Sequence, residues 1–214
     1  MYYRLILSTF NTKTILVLIP RAVSIFFIIF QGLGMMLYPG GTIHDLSTTG
    51  YSFTLNFFSD MGAYEARNGE PNYLSMIFFS ISLILVGVTF ALYYFALPKV
   101  FGNNNRNYYL SWIGTIFAFG GSICLIGTGL TPTDLVFDSH VFFANNIFHS
   151  FLVTSFFYSI VIFDTNILEK RYAIGYAVFF ISIFLYVGVL QFGPSASTGK
   201  SELIFQVVAQ KLIV

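Results

Sequence analysis

Long apolar runs, separated by short polar joints, dominate the chain. Five of them reach the roughly 20 residues that cross ~30 Å of hydrocarbon as a helix. They are Ile15–Leu37, Asn72–Leu97, Tyr108–Leu130, Val141–Phe163 and Tyr172–Phe192. A sixth starts at Glu202 and has run only 13 residues when the sequence ends at Val214. At roughly 20 Å it is too short to cross alone. It reads as a genuine sixth span shortened here, with an interfacial helix as the other reading. Pro20 and Arg21 interrupt the first run early and no small-x-small site follows it. That run is a permanent helix rather than a cleaved signal, with Arg21 reaching for the interface. The expected fold is all-α, a polytopic transmembrane helix bundle forming one domain over residues 1–214. It has five clear spans plus a sixth short or truncated C-terminal helix.

Composition agrees and removes other classes. Of 214 residues, 56% are hydrophobic, 20% aromatic and 9% charged, against roughly 25% charged in soluble domains. A water-soluble globule would have to expose aromatic surface wholesale. A net charge of +1 leaves no basic face for nucleic acid, so no nucleic-acid partner is expected. Cys124 is the only cysteine and excludes a disulfide framework.

Charge sets the expected orientation. With a cytoplasmic N-terminus and C-terminus, the inner side holds Arg4, Lys13, Arg21, Lys99, Arg106, Lys170, Arg171 and Lys211. The outer side keeps Arg67 and Lys200. This is the bias of the positive-inside rule, and short loops are where that rule applies. Asp45, Asp60, Glu65, Glu70, Asp134, Asp138 and Glu202 fall outside, with Asp164 and Glu169 inside. The expected location is the plasma (cytoplasmic) membrane.

Candidate chemistry gathers on the outer side. The loop Tyr38–Pro71 is far longer than the about 2–8 residues that usually join bundle helices. Pro39-Gly40-Gly41 turns the chain, and aromatic Tyr51–Phe58 suits the membrane interface. Ser59 and Asp60 follow. The shorter joint Thr131–His140 leaves the membrane on the same side. Asp60, Asp134, Asp138 and His140 would therefore converge at the outer mouth of the bundle. Such a carboxylate–imidazole cluster can bind a metal, act as acid and base, or hold a lipid headgroup. The plain alternative is that Asp60 and Asp134 only cap turns and that Asp138 and His44 are solvated. His149 lies within the fourth span on one face with Asn145, where an ionisable group faces the bundle interior. It serves either a site or an interhelical hydrogen bond. His44, His140 and His149 are weak metal candidates, since no H-x-x-x-H, H-E-x-x-H or cysteine pair is present. No cofactor is expected, zinc being the one to consider. The Gly120-Gly121 and Gly127-Thr128-Gly129 strings read as close helix packing.

The segments Asn56–Phe79 and Gly129–His140 resemble a prokaryotic membrane family labelled domain of unknown function 998. Its Ser-Asp-x-Gly element matches Ser59-Asp60-Met61-Gly62. Its Gly-x-x-Pro-x-Asp element matches Gly129 to Asp134, and its following His matches His140. The family's Ser-Asp-x-Gly element is in turn similar to one in a six-helix group containing the damage-regulated autophagy modulators, which implies a lipid-related role. A further likeness is to alkaline-ceramidase-like hydrolases, where three histidines hold zinc beside a Ser and an Asp. This chain departs from them in lacking H-x-x-x-H in its last helix.

The expected function is an integral membrane protein that interacts with membrane lipids through an outer polar site. That site would comprise Ser59, Asp60, Asp134, His140 and Asn145, with His149 beneath. The alternatives are a metal-assisted or carboxylate/His lipid hydrolase using the same residues, and an accessory structural subunit of a membrane complex. A homo-oligomer or a membrane-complex partner accords with any of the three.

Overall fold

The computed structural model describes residues 13–213, and all the secondary structure among them is helical apart from isolated bridges in the long loop. Helix α1 (Ile19–Leu37) follows a π-helical turn, Thr14–Leu18. Helix α2 (Tyr73–Ala96) tightens into a 3-10 turn at Leu97–Phe101, and α3 spans Asn105–Leu130. Helices α4 (Phe137–Asp164), α5 (Lys170–Phe192) and α6 (Lys200–Ile213) complete the order. In hydrocarbon every backbone polar group must be satisfied within the protein, so long apolar runs close into helices. Five of these helical stretches, Thr14–Leu37, Tyr73–Phe101, Asn105–Leu130, Phe137–Asp164 and Lys170–Phe192, are long and apolar enough to cross a membrane. The chain is a multi-pass membrane protein with an all-α helical bundle.

The five long helices pack in chain order, each on the next, and α3 against α4 is the most extensive pair. Small residues explain that pair. Gly114, Gly121 and Gly127 of α3 lie beneath the rings of Tyr158, Phe151 and Phe143 of α4. A Cβ on Gly121 would stand 2.7 Å from the Phe151 ring, so the glycines let the helices approach closely, as the strings predict. One hydroxyl pair sits inside. Thr115 donates to the Tyr94 carbonyl at 3.0 Å, so the Tyr158 hydroxyl, 2.8 Å away, donates to Thr115. At the face opposite the long loop, Arg106 pairs with Asp164 at 3.5 Å, tying the start of α3 to the end of α4. Helices α1 and α5 share no interface of comparable extent, so the row of helices stays open along one side.

Two differences from the sequence reading move functional side chains. Helix α4 begins at Phe137, four residues earlier than expected, with Asp138 in its first turn, where a carboxylate meets the positive end of the helix dipole. His140 is therefore a helix residue, its N–H donated to the Val136 carbonyl at 3.0 Å, rather than a loop residue. The 14 residues described for α6 rise about 21 Å, and this helix is not among the five spans. Its Lys211 amine donates to the Asn56 carbonyl in the long loop. Lys211 thus lies with the loop and not on the opposite face, where its place at the end of an apparent sixth span had put it. Arg4 falls outside the described residues.

Candidate functional site

The long loop folds into a fixed roof because its turns are locally encoded. Gly41, at φ +83°, has Asn68 N 2.4 Å from where a Cβ would be, so only glycine fits there. Gly40 bridges to Thr49, and Glu65 bridges to Pro71. The 3-10 turn Phe58–Gly62 carries Asp60 into the interior, where the residue is 3% exposed.

Four donors converge on the Asp60 carboxylate. Oδ1 accepts from Arg67 Nε and Nη2, both at 2.9 Å. Oδ2 accepts from Phe57 N at 2.9 Å and from Asn56 Nδ2 at 3.1 Å. Asn56, fully buried, also donates to the Gly41 carbonyl at 2.8 Å and accepts from Ser52 N. The Tyr38 hydroxyl accepts from Arg67 N at 3.2 Å. Burial, with the Asp60 charge behind it, pushes that phenol up to about 12. Asp60 is thus the knot of the loop, and the turn-capping expected of it is one of its four bonds.

Asp134 fastens the same loop from outside. Its two oxygens accept from Tyr64 N at 2.8 Å and Glu65 N at 2.9 Å, some 70 residues back in the chain. This is a clasp between two segments rather than a cap on its own turn. A third attachment comes from α6, where Lys211 lies 4.9–5.2 Å from the ring centres of Tyr51, Phe53 and Phe58. Burial draws the Lys211 ammonium down to about 8, against the pull of Asp60. Gln210 Oε1 accepts from Phe58 N at 3.1 Å.

Under the roof lies a cavity of about 1210 Å³. Asp60, Arg67 and His140 line its upper end, and Phe90 and Phe151 line its depth. It exceeds the roughly 300–1,000 Å³ of ordinary small-molecule pockets. Ile28 of α1 and Phe179 of α5 line it while also facing outward, Ile28 at 70% exposure. They mark the side where α1 and α5 do not pack, so the cavity opens to the surface between them.

The structure brings only some of the expected residues together. Ser59, Asp60, Asp134, His140 and Asn145 all line the cavity. His149 does not; its Nδ1 is bonded to the carbonyl of Asn145, one turn back in its own helix, at 2.9 Å. His44 bonds the Ala196 carbonyl at 2.9 Å and ties the loop to the α5–α6 turn. His140 Nδ1 meets the Thr131 carbonyl at 2.5 Å. The three histidines thus serve three separate backbone carbonyls. No group of three or more His, Cys, Asp or Glu side chains among the described residues is arranged to hold a metal ion. Sequence reasoning gave no role to Arg67, Asn56 or Gln31. Gln31 alone carried a signal, as an amide within a span.

Fold and site together define a multi-pass helical membrane protein with a roofed, laterally open cavity. No family model, curated protein or solved structure matches the chain.

Proposed function

We propose that this protein binds a membrane lipid, with the acyl part in the cavity and the polar end beneath the Asp60–Arg67 roof. One observation carries the reading: a cavity of about 1210 Å³ runs from charged side chains at one end to phenylalanines at the other and opens sideways between α1 and α5. Its two ends match the two ends of an amphiphile. Positive-inside bias supports a loop face directed outward across a plasma membrane. Lys13, Arg21, Lys99, Arg106, Lys170 and Arg171 lie toward the opposite face, and Arg67, Lys200 and Lys211 toward the loop. The resemblance to domain of unknown function 998 belongs to the same proposal. The acids of its two motifs, Asp60 and Asp134, are the residues that pin the roof.

The test is native mass spectrometry of protein purified in mild detergent, beside an Ala144→Phe variant. Ala144 lines the cavity, and a phenyl ring added there obstructs part of it. About one lipid per chain in the parent and a large loss in a folded Ala144→Phe variant is the expected result. Equal lipid in both, or none above detergent background, would overturn the proposal. One observation favours the hydrolase alternative: His140 is oriented by a carbonyl through Nδ1 and has Nε2 unpaired, the posture of a general base. Asp60 fits that role poorly because both its oxygens are engaged. Lipid turnover abolished by His140→Gln would establish the alternative.

A further inference from the structure

Four buried side-chain acceptors among the described residues have no hydrogen-bond partner: Gln31 Oε1, Asn72 Oδ1, Asn107 Oδ1 and His140 Nε2. Two of the four residues, Gln31 and His140, line the cavity, and the other two do not. Bonding fixes the chemical character of both. Gln31 Nε2 lies 2.7 Å from Ser82 Oγ, and that hydroxyl lies 2.7 Å from the Phe79 carbonyl. A serine has one hydroxyl hydrogen, and a carbonyl can only accept, so Ser82 donates to Phe79 and accepts from Gln31. The amide is thereby oriented, and Oε1 is an acceptor with nothing to accept.

His140 follows the same logic. The Thr131 carbonyl facing Nδ1 can only accept, so Nδ1 carries the proton. In the neutral ring Nε2 is then a bare lone pair. Gln31 is 5% exposed and His140 2%. Gln31 lies about 9 Å below the loop end of α1 and His140 about 5 Å below that of α4. Two orphaned acceptors therefore sit just beneath the roof.

The balance of charge around them disfavours an anion. Arg67, the guanidinium at this end, is held by Asp60, while Glu65 and Asp134 line the same mouth with carboxylates. Cavity-lining Thr128 gives its hydroxyl hydrogen to the Cys124 carbonyl. It too offers lone pairs rather than a donor.

We infer that the polar end of the bound lipid is an uncharged group bearing hydroxyl donors, as in monoacylglycerols, which give their hydrogens to Gln31 Oε1 and His140 Nε2. This rests on the lipid-binding reading and names its ligand class. A fatty-acid carboxylate, or a phosphate set against them, would bring more lone pairs to acceptors that need hydrogens. An esterified chain without a hydroxyl would leave both acceptors unpaired.

The experiment is a competition among monoolein, methyl oleate and oleate, which share one chain. Delipidated full-length protein in mild detergent takes up an equimolar mixture, and native mass spectrometry reads the occupancy. The expected result is that monoolein exceeds each of the others by about tenfold. In Gln31→Met and in His140→Phe that preference falls several-fold, while methyl oleate offered alone is still taken up. Methyl oleate uptake also verifies that each variant is folded. Equal uptake of monoolein and methyl oleate, both lost in Ala144→Phe, would refute the donor inference and leave lipid binding standing. Oleate binding best would refute it also. No uptake of any of the three, with native lipid unaffected by Ala144→Phe, would remove both readings.

Discussion

Replacing Asp60 by alanine should release the roof. The carboxylate accepts four hydrogen bonds, two of them from Arg67. Removing one partner of a buried ion pair costs about 3–5 kcal/mol when the other charge stays buried. Here Arg67 has a side chain 37% exposed and can turn to water, which reduces that figure. Asn56 keeps its bond to the Gly41 carbonyl, while Phe57 N loses its acceptor. The cost to loop docking is then about 3 kcal/mol, which raises the open population on the order of 100-fold. Asp134 provides the comparison. It is exposed, so water can replace its two backbone bonds, and Asp134→Ala should cost about 1 kcal/mol, under tenfold in opening.

Hydrogen exchange of loop peptides in nanodiscs reads these openings directly. Exchange across residues 51–68 should rise sharply in Asp60→Ala and slightly in Asp134→Ala. Asp60→Asn should behave nearly as badly as alanine, because its amide turns two hydrogens toward groups that are themselves donors. Loop exchange in Asp60→Ala within about threefold of the parent, a change too small for ~1 kcal/mol, would refute the reasoning. A larger effect from Asp134→Ala would do the same.

Other outcomes follow from the packing. In Gly87→Ala the new methyl would stand 2.8 Å from both the Ser122 carbonyl and Ile126 Cγ1, so α2 and α3 must part, at about 1–3 kcal/mol. A thermal midpoint equal to the parent's would contradict that. Tyr158→Phe removes one interhelical hydrogen bond, to Thr115, and should cost about 0.6 kcal/mol; detergent unfolding titrations that give several times as much would assign the hydroxyl a larger part. Lys211 is drawn from its ordinary 10.5 to about 8, so between those values the undocked helix binds a proton that the docked helix does not. Docking of α6 should therefore strengthen as pH rises from 8 to 10.5; α6 amide protection that stays flat, or matches that of Lys211→Met, would count against it.

The spans were legible because lipid imposes a direct rule, an apolar run of fixed length with its backbone closed on itself. The start of α4 was hidden by Asp138 and His140, which read as loop residues although an acid in the first turn is also a start signal. Lys211 was misplaced because a short apolar helix ending in lysine has the pattern of a span's inner end. Asp60 and Asp134 stood out by residue type, yet their partners did not. Arg67 lies seven residues on, Tyr64 N lies seventy back, and no periodicity connects them. Asn56 carried no signal at all, since a buried asparagine in a polar loop looks like any other.

Those roles change what the acidic residues mean. A loop of more than thirty residues over a membrane bundle is costly to order, and its attachments must outweigh that entropy without leaving charge stranded. Asp60 is matched by Arg67 within the roof, and Asp134 spends both oxygens on backbone N–H groups. Charge that looked like a reacting centre is therefore consumed in holding the lid of the cavity. The buried acceptors left without a partner in the cavity are uncharged: the Gln31 carbonyl oxygen and the bare nitrogen of His140. Recognition beneath such a roof falls to hydrogen bonds between neutral groups. These distinguish a hydroxyl from an ester without drawing in every anionic lipid of the surrounding bilayer.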